Sequence, residues 1–144
     1  MRYRLRDIAD FRTGYQFRGR VQPEPRGNAR VIQIKDVEAH GKISIADLTS
    51  VNVDRPQPYL VQRDDVLFLS RGFRLYAVIV PEVGKNTIAT GYFFIIRPRP
   101  DLIVPEYLAW AMNEPDFQES LRPYVPSLNR VLVPYQSIFC IFLF

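Results

Sequence analysis

The segment that decides the fold is Asp64-Asp65-Val66-Leu67-Phe68-Leu69-Ser70-Arg71-Gly72. Its four central residues are all large and apolar, which is typical of a short strand buried on both faces. Two acids precede this run, and a polar, charged turn with a glycine follows it, so both ends of the strand are marked. The segment therefore predicts a buried strand that delivers a charged loop to the surface.

The sequence around this segment predicts further strands. Alternating or β-branched residues predict a strand at 31–35 and a second short strand at 43–45. A hairpin is expected to join 76–80 to 88–96 through a turn with a proline and a glycine. Inside the second arm of that hairpin, Gly91 indicates a bulge or a close backbone approach.

Helices are predicted near the two ends of the chain. The apolar spacing over 5–9 predicts a helical turn that Gly14 ends. A proline opens each of two later helices, at 106–113 and from Pro115 to about Arg122. The aromatic and aliphatic residues of the first of these helices are expected in the core: Tyr107, Leu108 and Trp110. The fold class predicted is a mixed α/β (α+β) domain with one curved, mostly antiparallel sheet and flanking helices.

Length and composition indicate one globular domain. The distribution of its charge favours a negatively charged binding partner. The chain has 144 residues, of which 47% are apolar, so it has enough material for one core. No run of apolar residues reaches a membrane span, no secretory signal is visible, and a single cysteine favours the cytoplasm. The formal net charge is +4; residues 1–30 hold eight Arg and three acids, a local excess of +5. Arginine binds phosphate and guanine edges with two parallel hydrogen bonds, although an arginine bias also follows from genome composition.

Motifs of catalysis and of cofactor binding are missing from the sequence. There is no phosphate-binding GxxxxGK[ST] loop, no GxGxxG turn and no nuclease-type spacing of acids and lysine. One histidine and one cysteine do not make a zinc site. We therefore expect no catalytic residues, no cofactor and no metal, and a protein that binds its partner without transforming it.

An ordered series of short motifs resembles the target recognition domain of type I restriction-modification specificity (S) subunits. The resemblance covers roughly residues 5 to 134 and depends on the order and spacing of the motifs. They are Leu5-Arg6-Asp7-Ile8-Ala9-Asp10, Thr13-Gly14-Tyr15-Gln16-Phe17-Arg18-Gly19, Val31-Ile32-Gln33-Ile34-Lys35-Asp36-Val37, Tyr59-Leu60, Asp65-Val66-Leu67-Phe68-Leu69-Ser70-Arg71-Gly72, Ile88-Ala89-Thr90-Gly91-Tyr92-Phe93-Phe94-Ile95-Ile96-Arg97-Pro98 and Pro105-Glu106-Tyr107-Leu108-Ala109-Trp110.

This resemblance implies a non-enzymatic, sequence-specific reader of double-stranded DNA. In this family, helical spacers join two recognition domains and hold methyltransferase (modification) subunits, and a restriction subunit is a possible further partner. The expected partners are therefore duplex DNA and these subunits, with a homodimer as an open alternative and no membrane. Two other hypotheses stay open: a vestigial or regulatory truncated specificity protein that assembles no active complex, and a small enzyme with an unrecognised site.

The sequence departs from the family pattern at two places. The first is Asp64, which stands where the family often has a glycine; aspartate tolerates the geometry of a turn, so the effect is small. The sequence predicts a recognition domain at 1–134 and a separate apolar tail at 135–144, where the family would continue into a polar coiled-coil helix. We expect this tail to be a buried terminal strand, an oligomer contact or the product of a truncation or frameshift.

Eight residues are the candidate DNA contacts. In the basic N-terminal loop, Arg18 and Arg20 suit phosphate or guanine, and a glutamine suits adenine, with turn stabilisation as its alternative. For Lys35 the alternative to a DNA contact is a local ion pair with Asp36, and for Tyr92 the alternative is packing within a strand. The set is Gln16, Arg18, Arg20, Lys35, Ser70, Arg71, Arg74 and Tyr92.

Overall fold

The computed structural model describes residues 3–38, 41–69, 71–72, 75–124 and 131–132. Three helices and nine strands are formed in this part of the chain. In chain order they are α1 (Leu5–Ile8), β1 (Ala9–Thr13), β2 (Ala29–Ile32), β3 (Thr49–Val51), β4 (Val66–Leu69), β5 (Arg71–Gly72), β6 (Ala77–Ile79), β7 (Thr87–Ala89), β8 (Phe93–Pro98), α2 (Pro105–Asn113), α3 (Pro115–Leu121) and β9 (Val131–Leu132). Short 3-10 turns cover Ile34–Asp36, Gln57–Tyr59 and Arg122–Tyr124.

A four-stranded sheet in the order β1-β8-β4-β6 forms the centre of the fold. All three pairings in it are antiparallel. Successive side chains of a strand point to opposite faces, so Phe94 and Ile96 lie on one face of β8, and Phe93 and Ile95 lie on the other. All four are buried, which requires a packed layer on each side of the sheet.

Helices form the layer on one face of the central sheet. Buried residues of α1, α2 and α3 share one cluster with Phe68, Phe94 and Ile96. The rings of Phe68 and Phe117 meet edge to face with centroids 6.1 Å apart, so β4 contacts α3 directly. Proline occupies the first position of α2 and of α3, where its missing N–H costs no hydrogen bond.

A smaller sheet in the order β3-β2-β7 forms the layer on the other face. Strand β2 is antiparallel to β3 and parallel to β7. Ile32 and Ala89 pack in one cluster with Leu67 and Ile95 of the central sheet. The opposite face of the small sheet is covered by the N-terminal loop, since Val31 and Ile88 lie in a cluster with partly buried aromatic residues: Tyr15, Phe17 and Tyr59.

The predicted fold class is confirmed: helices flank sheets that are mostly antiparallel. The strands are divided between the central sheet, the small sheet and a two-stranded β5–β9 pair. The buried strand at 66–69 and both proline-opened helices are also confirmed. The domain boundary at 134 stays a prediction, and the tail at 135–144 lies outside the described residues.

Four local predictions are wrong. The helical turn ends at Ile8, and a strand follows it up to Thr13 because the sequence there alternates buried and exposed residues. The region 43–45 makes only an isolated bridge, and the strand of this region is β3. The expected hairpin does not form, because β6 pairs with β4 and the segment 88–96 is divided between the two sheets. Tyr107 and Trp110 are exposed, since α2 turns only its other face to the core.

A buried ion pair holds β4 and β8 in register. Asp65 is 1% exposed and accepts two hydrogen bonds from Arg97, at 2.8 and 2.9 Å. The same carboxylate accepts the backbone N–H of Gln62 at 2.9 Å. A slip of one residue would exchange the two faces of β8 and leave this carboxylate unpaired, so the pair selects one register.

We predict that Asp65→Asn lowers the free energy of unfolding by about 2–4 kcal/mol, because it removes one partner of a buried pair. The loss is below that of a fully buried pair because Arg97 keeps about a third of its side-chain surface in solvent. Urea denaturation measures it. The control is Asp64→Asn, an exposed neighbour at φ 72°, which Asn tolerates, so less than about 0.5 kcal/mol is expected. Equal losses in both variants would contradict the assignment.

Candidate nucleic-acid interface

Three segments emerge together at one edge of the small sheet. Strands β2 and β7 are parallel, so the residues that follow them, 33–36 and 90–92, leave the sheet at the same edge. The N-terminal loop joins them there: the Tyr15 N–H donates to the Ala89 carbonyl at 2.8 Å, and the Gly91 N–H donates to the Tyr15 carbonyl at 2.7 Å. We call residues 15–20, 33–36 and 90–92 the carboxyl edge.

Aromatic packing supports the N-terminal loop and leaves its arginines in solvent. The ring centroid of Tyr15 lies 4.7 Å from that of Phe17 and 5.1 Å from that of Tyr59. Beyond this cluster Gly19 adopts φ 71°, a conformation that favours glycine, although an added Cβ would have open space around it. Arg18 and Arg20 on either side of it are exposed, and neither makes an ion pair within the described residues.

Gln16 and Tyr92 are brought together across Gly91. The Gln16 side-chain amide lies against Gly91 and makes a long, 3.5 Å contact with its carbonyl oxygen. A Cβ on Gly91 would overlap this amide, so a close approach does require glycine here, but the approaching group is a side chain and Gly91 lies in the turn before β8, not inside a strand. Tyr92 is 46% exposed beside it.

A shallow depression of about 90 Å³ lies between the loop and Thr90–Tyr92. Thr90 is one of its lining residues, and the buried Thr90 hydroxyl has no hydrogen-bond partner among the residues that the structure describes. An unpaired buried hydroxyl is costly, by about 1–3 kcal/mol. The carboxyl edge therefore combines exposed cations, an exposed aromatic ring and polar groups with spare hydrogen-bonding capacity.

Lys35 lies in the 3-10 turn that follows β2. Its ammonium group is 4.0 Å from the nearer carboxylate oxygen of Asp36, at the limit of an ion pair, and its side chain is 60% exposed. The Asp36 carboxylate is mainly occupied by the Gln33 backbone N–H, at 2.8 Å. The position of Lys35 thus adds a third exposed cation to the carboxyl edge.

The remaining candidate contacts belong to the exit of β4. Ser70 and Arg74 lie outside the described residues. The backbone of Arg71 is in β5, where it pairs with Leu132 of β9. Their role in DNA contact stays a prediction.

Sequence reasoning missed a second cluster of cations. A groove of about 390 Å³ is lined by Arg12, Lys85 and Arg97, together with residues of 57–62 and 84–86. The Arg12 guanidinium donates to the carbonyl oxygens of Pro58 at 3.1 Å and Leu60 at 3.4 Å. We call this cavity the basic groove. The alternation of apolar and polar residues over 9–13 could have indicated this groove, because a strand there places Arg12 beside β8.

Burial is the main cause that lowers the pKa of Arg12 below its ordinary value, and the charge of Arg97 lowers it further. Hydrogen bonding to Asp65 raises the pKa of Arg97, against the opposing effect of burial. Both guanidinium groups stay charged at physiological pH, so these directions describe how well each charge is compensated. Arg97 has a directly bonded carboxylate partner, whereas Arg12 donates to carbonyl oxygens only. The nearby carboxylates of Asp65 and Asp10 raise the pKa of Arg12, but each by less than burial or Arg97 lowers it.

The fold is similar to that of solved type I specificity subunits, so the predicted resemblance is confirmed at the level of the fold. One similar structure is the type I restriction-modification system S subunit from M. genitalium, with a TM-score of 0.62 and 10% sequence identity over 99% of this chain. Another is the HsdS subunit from Thermoanaerobacter tengcongensis, with a TM-score of 0.66 and 14% identity over 99% of this chain.

This chain spans about one third of each of these subunits, 33% and 32% of their lengths. No protein-family model and no curated protein matches the sequence.

Within the described parts of the chain, no group of three or more His, Cys, Asp or Glu side chains is placed to hold a metal ion. No helix there is both long enough and apolar enough to span a membrane.

We predict that Gly91→Ala displaces the Gln16 amide but keeps the protein folded, because the new Cβ meets only the end of a flexible side chain. The free energy of unfolding should change by less than about 1 kcal/mol, whereas the Gln16 side-chain amide resonances should shift. The matched variant is Gly14→Ala, whose Cβ would overlap the Thr90 backbone carbonyl and should cost about 1–3 kcal/mol. Unchanged Gln16 resonances in Gly91→Ala would contradict this packing.

Proposed function

We propose that this domain binds double-stranded DNA and reads its sequence with the carboxyl edge. The single observation that carries the proposal is the convergence of Gln16, Lys35 and Tyr92, from three distant segments, at one edge of the small sheet. The sequence motifs resemble a family of DNA readers, and the agreement in fold supports that resemblance. An edge formed by loops on a rigid sheet is suited to recognition.

The chemistry of the carboxyl edge supports a division of work between its residues. A glutamine amide pairs with the N6 and N7 edge of adenine in the major groove, so Gln16 is proposed to read a base. Arg18, Arg20 and Lys35 are exposed cations suited to phosphate oxygens, which position a protein without specifying sequence. The half-exposed ring of Tyr92 offers an apolar surface to a base or a thymine methyl group.

The proposed role is that of a non-catalytic specificity component that directs a separate type I methyltransferase, with or without a restriction subunit. The resemblance supports this role, as does the lack of catalytic motifs in the sequence. Two copies of a domain this size would present two recognition edges, so a homodimer would read a bipartite site. Co-purification with a type I modification subunit, and light scattering of the complex, test the assembly.

We predict that duplex DNA affinity falls with salt, with a slope of log affinity against log salt of about −0.9 for each phosphate contact. A domain of this size is expected to make roughly three to six such contacts. In Arg18→Gln/Arg20→Gln the slope should become less negative by about 1.8, equally for all sequences. Fluorescence anisotropy over a salt series measures both quantities.

The matched control for these two substitutions is Arg6→Gln/Arg122→Gln. It removes the same charge from α1 and from the turn after α3, on the helical side of the central sheet. Its slope should equal that of the wild type. A wild-type protein that binds no duplex at low salt would overturn the proposed function.

We predict a different signature for Gln16→Ala, because a base contact carries sequence information. Binding to the preferred site should weaken by about 1–3 kcal/mol, and the preference at one base position should relax. The salt slope should stay unchanged, since no charge is removed. Selection from a randomised duplex library, before and after the substitution, measures the preference. Equal weakening for every sequence would show that Gln16 does not read a base.

A further inference from the structure

The basic groove collects positive charge that the ion pairs of the fold do not neutralise. Of the described residues that line it, three are cations, Arg12, Lys85 and Arg97, and none is an acid. The nearest carboxylates are already engaged: Asp65 with Arg97, and Asp10 with Arg99 at 3.1 Å. Within the described ranges, Arg12 and Lys85 make no ion pair.

Both guanidinium groups are held in place with donors to spare. A guanidinium carries five N–H donors. Arg12 donates one N–H each to two backbone carbonyl oxygens, and Arg97 donates two to Asp65. These contacts fix the two groups before any ligand arrives, so a ligand would not have to order them. Lys85 adds an exposed point charge from the turn before β7.

We propose that the basic groove binds an oxyanion of the phosphate type, and that a backbone phosphate of the bound duplex supplies it. The second part rests on the proposed function. Planar guanidinium forks match tetrahedral oxyanions in geometry and charge. An anion in the groove would compensate the half-buried charge of Arg12, whose pKa is lowered mainly by burial and next by the charge of Arg97.

The distance between the groove and the carboxyl edge suits one duplex. Lys85 lies in the turn before β7 and Gly91 in the turn after it, so six residues separate them along the chain and their separation is at most roughly 20 Å. That limit corresponds to about six base pairs of B-form DNA at 3.4 Å for each pair. A duplex read at the carboxyl edge would therefore carry phosphates as far as the groove.

The test compares the full chain with Lys85→Gln and with Lys85→Gln/Arg12→Gln. Lys85 is exposed, so the single variant is expected to fold, and the double variant is checked by thermal melting. Each substitution should make the salt slope of duplex binding less negative by about 0.9, with the same loss for every sequence. Lys42→Gln removes the same charge elsewhere on the surface and should leave the slope unchanged. Groove variants with the wild-type slope would overturn the assignment of a DNA phosphate.

A second arm separates a backbone phosphate from free phosphate. Melting temperatures are measured in inorganic phosphate and in chloride at equal ionic strength. A general salt effect acts on all variants alike, so extra stabilisation of the wild type over Lys85→Gln/Arg12→Gln supports an oxyanion site. If this difference appears while the DNA slope does not change, free phosphate is the ligand. If neither readout changes, the whole inference is wrong.

The two proposals fail in different ways. The proposed function is wrong if the wild type binds no duplex at any salt concentration. If only the groove proposal is wrong, the wild type still binds duplex, and the Arg18 and Arg20 substitutions still change the salt dependence of that binding.

Discussion

The burial of β8 on both faces is the constraint on which the other layers depend. A strand with apolar residues on each face needs a packed layer on each side, and no single helix or sheet supplies both. Here the helices cover Phe94 and Ile96, and the small sheet covers Phe93 and Ile95. Since β8 also pairs with β1 and β4, its register sets the position of nearly every other element.

This arrangement explains why the candidate interface forms where it does. The segment before β8 must leave the small sheet and enter the central one within the few residues between Ala89 and Phe93. The Thr90–Tyr92 turn that makes this crossing is anchored to Tyr15, which has just left β1. The loop and the turn are therefore held together by two sheets, and the side chains at the carboxyl edge are presented by a rigid base.

The local sequence pattern predicts an element correctly where residues close in sequence determine its structure. The four-residue apolar run of β4 and the two prolines that open α2 and α3 predict the observed elements, because burial of both faces and a fixed φ are local signals. The segment 88–96 predicts one strand, because nothing local shows that its two halves join different sheets. The helical spacing of Leu5, Ile8 and Ala9 likewise favours a longer helical turn, although apolar and polar residues alternate from Ala9 onward as in a strand.

The roles of the charged residues also depend on the whole fold. The sequence shows an excess of arginine in the first thirty residues, but it does not show which of these arginines stay in solvent and which bond to the backbone. Arg18 and Arg20 stay in solvent, whereas Arg30 donates to the Val83 carbonyl, which ties β2 to the turn before β7.

Arg12, from the same region, meets Lys85 and Arg97 only because β1 pairs with β8 in one register and 57–62 closes over the strand. A cluster built from three distant cations depends on that register, which is a property of the whole sheet. Strand β7 then separates this cluster from the carboxyl edge by a length that its extended backbone keeps fixed. Because both sets of cations are attached to one rigid unit, a duplex that meets one of them has a defined position relative to the other.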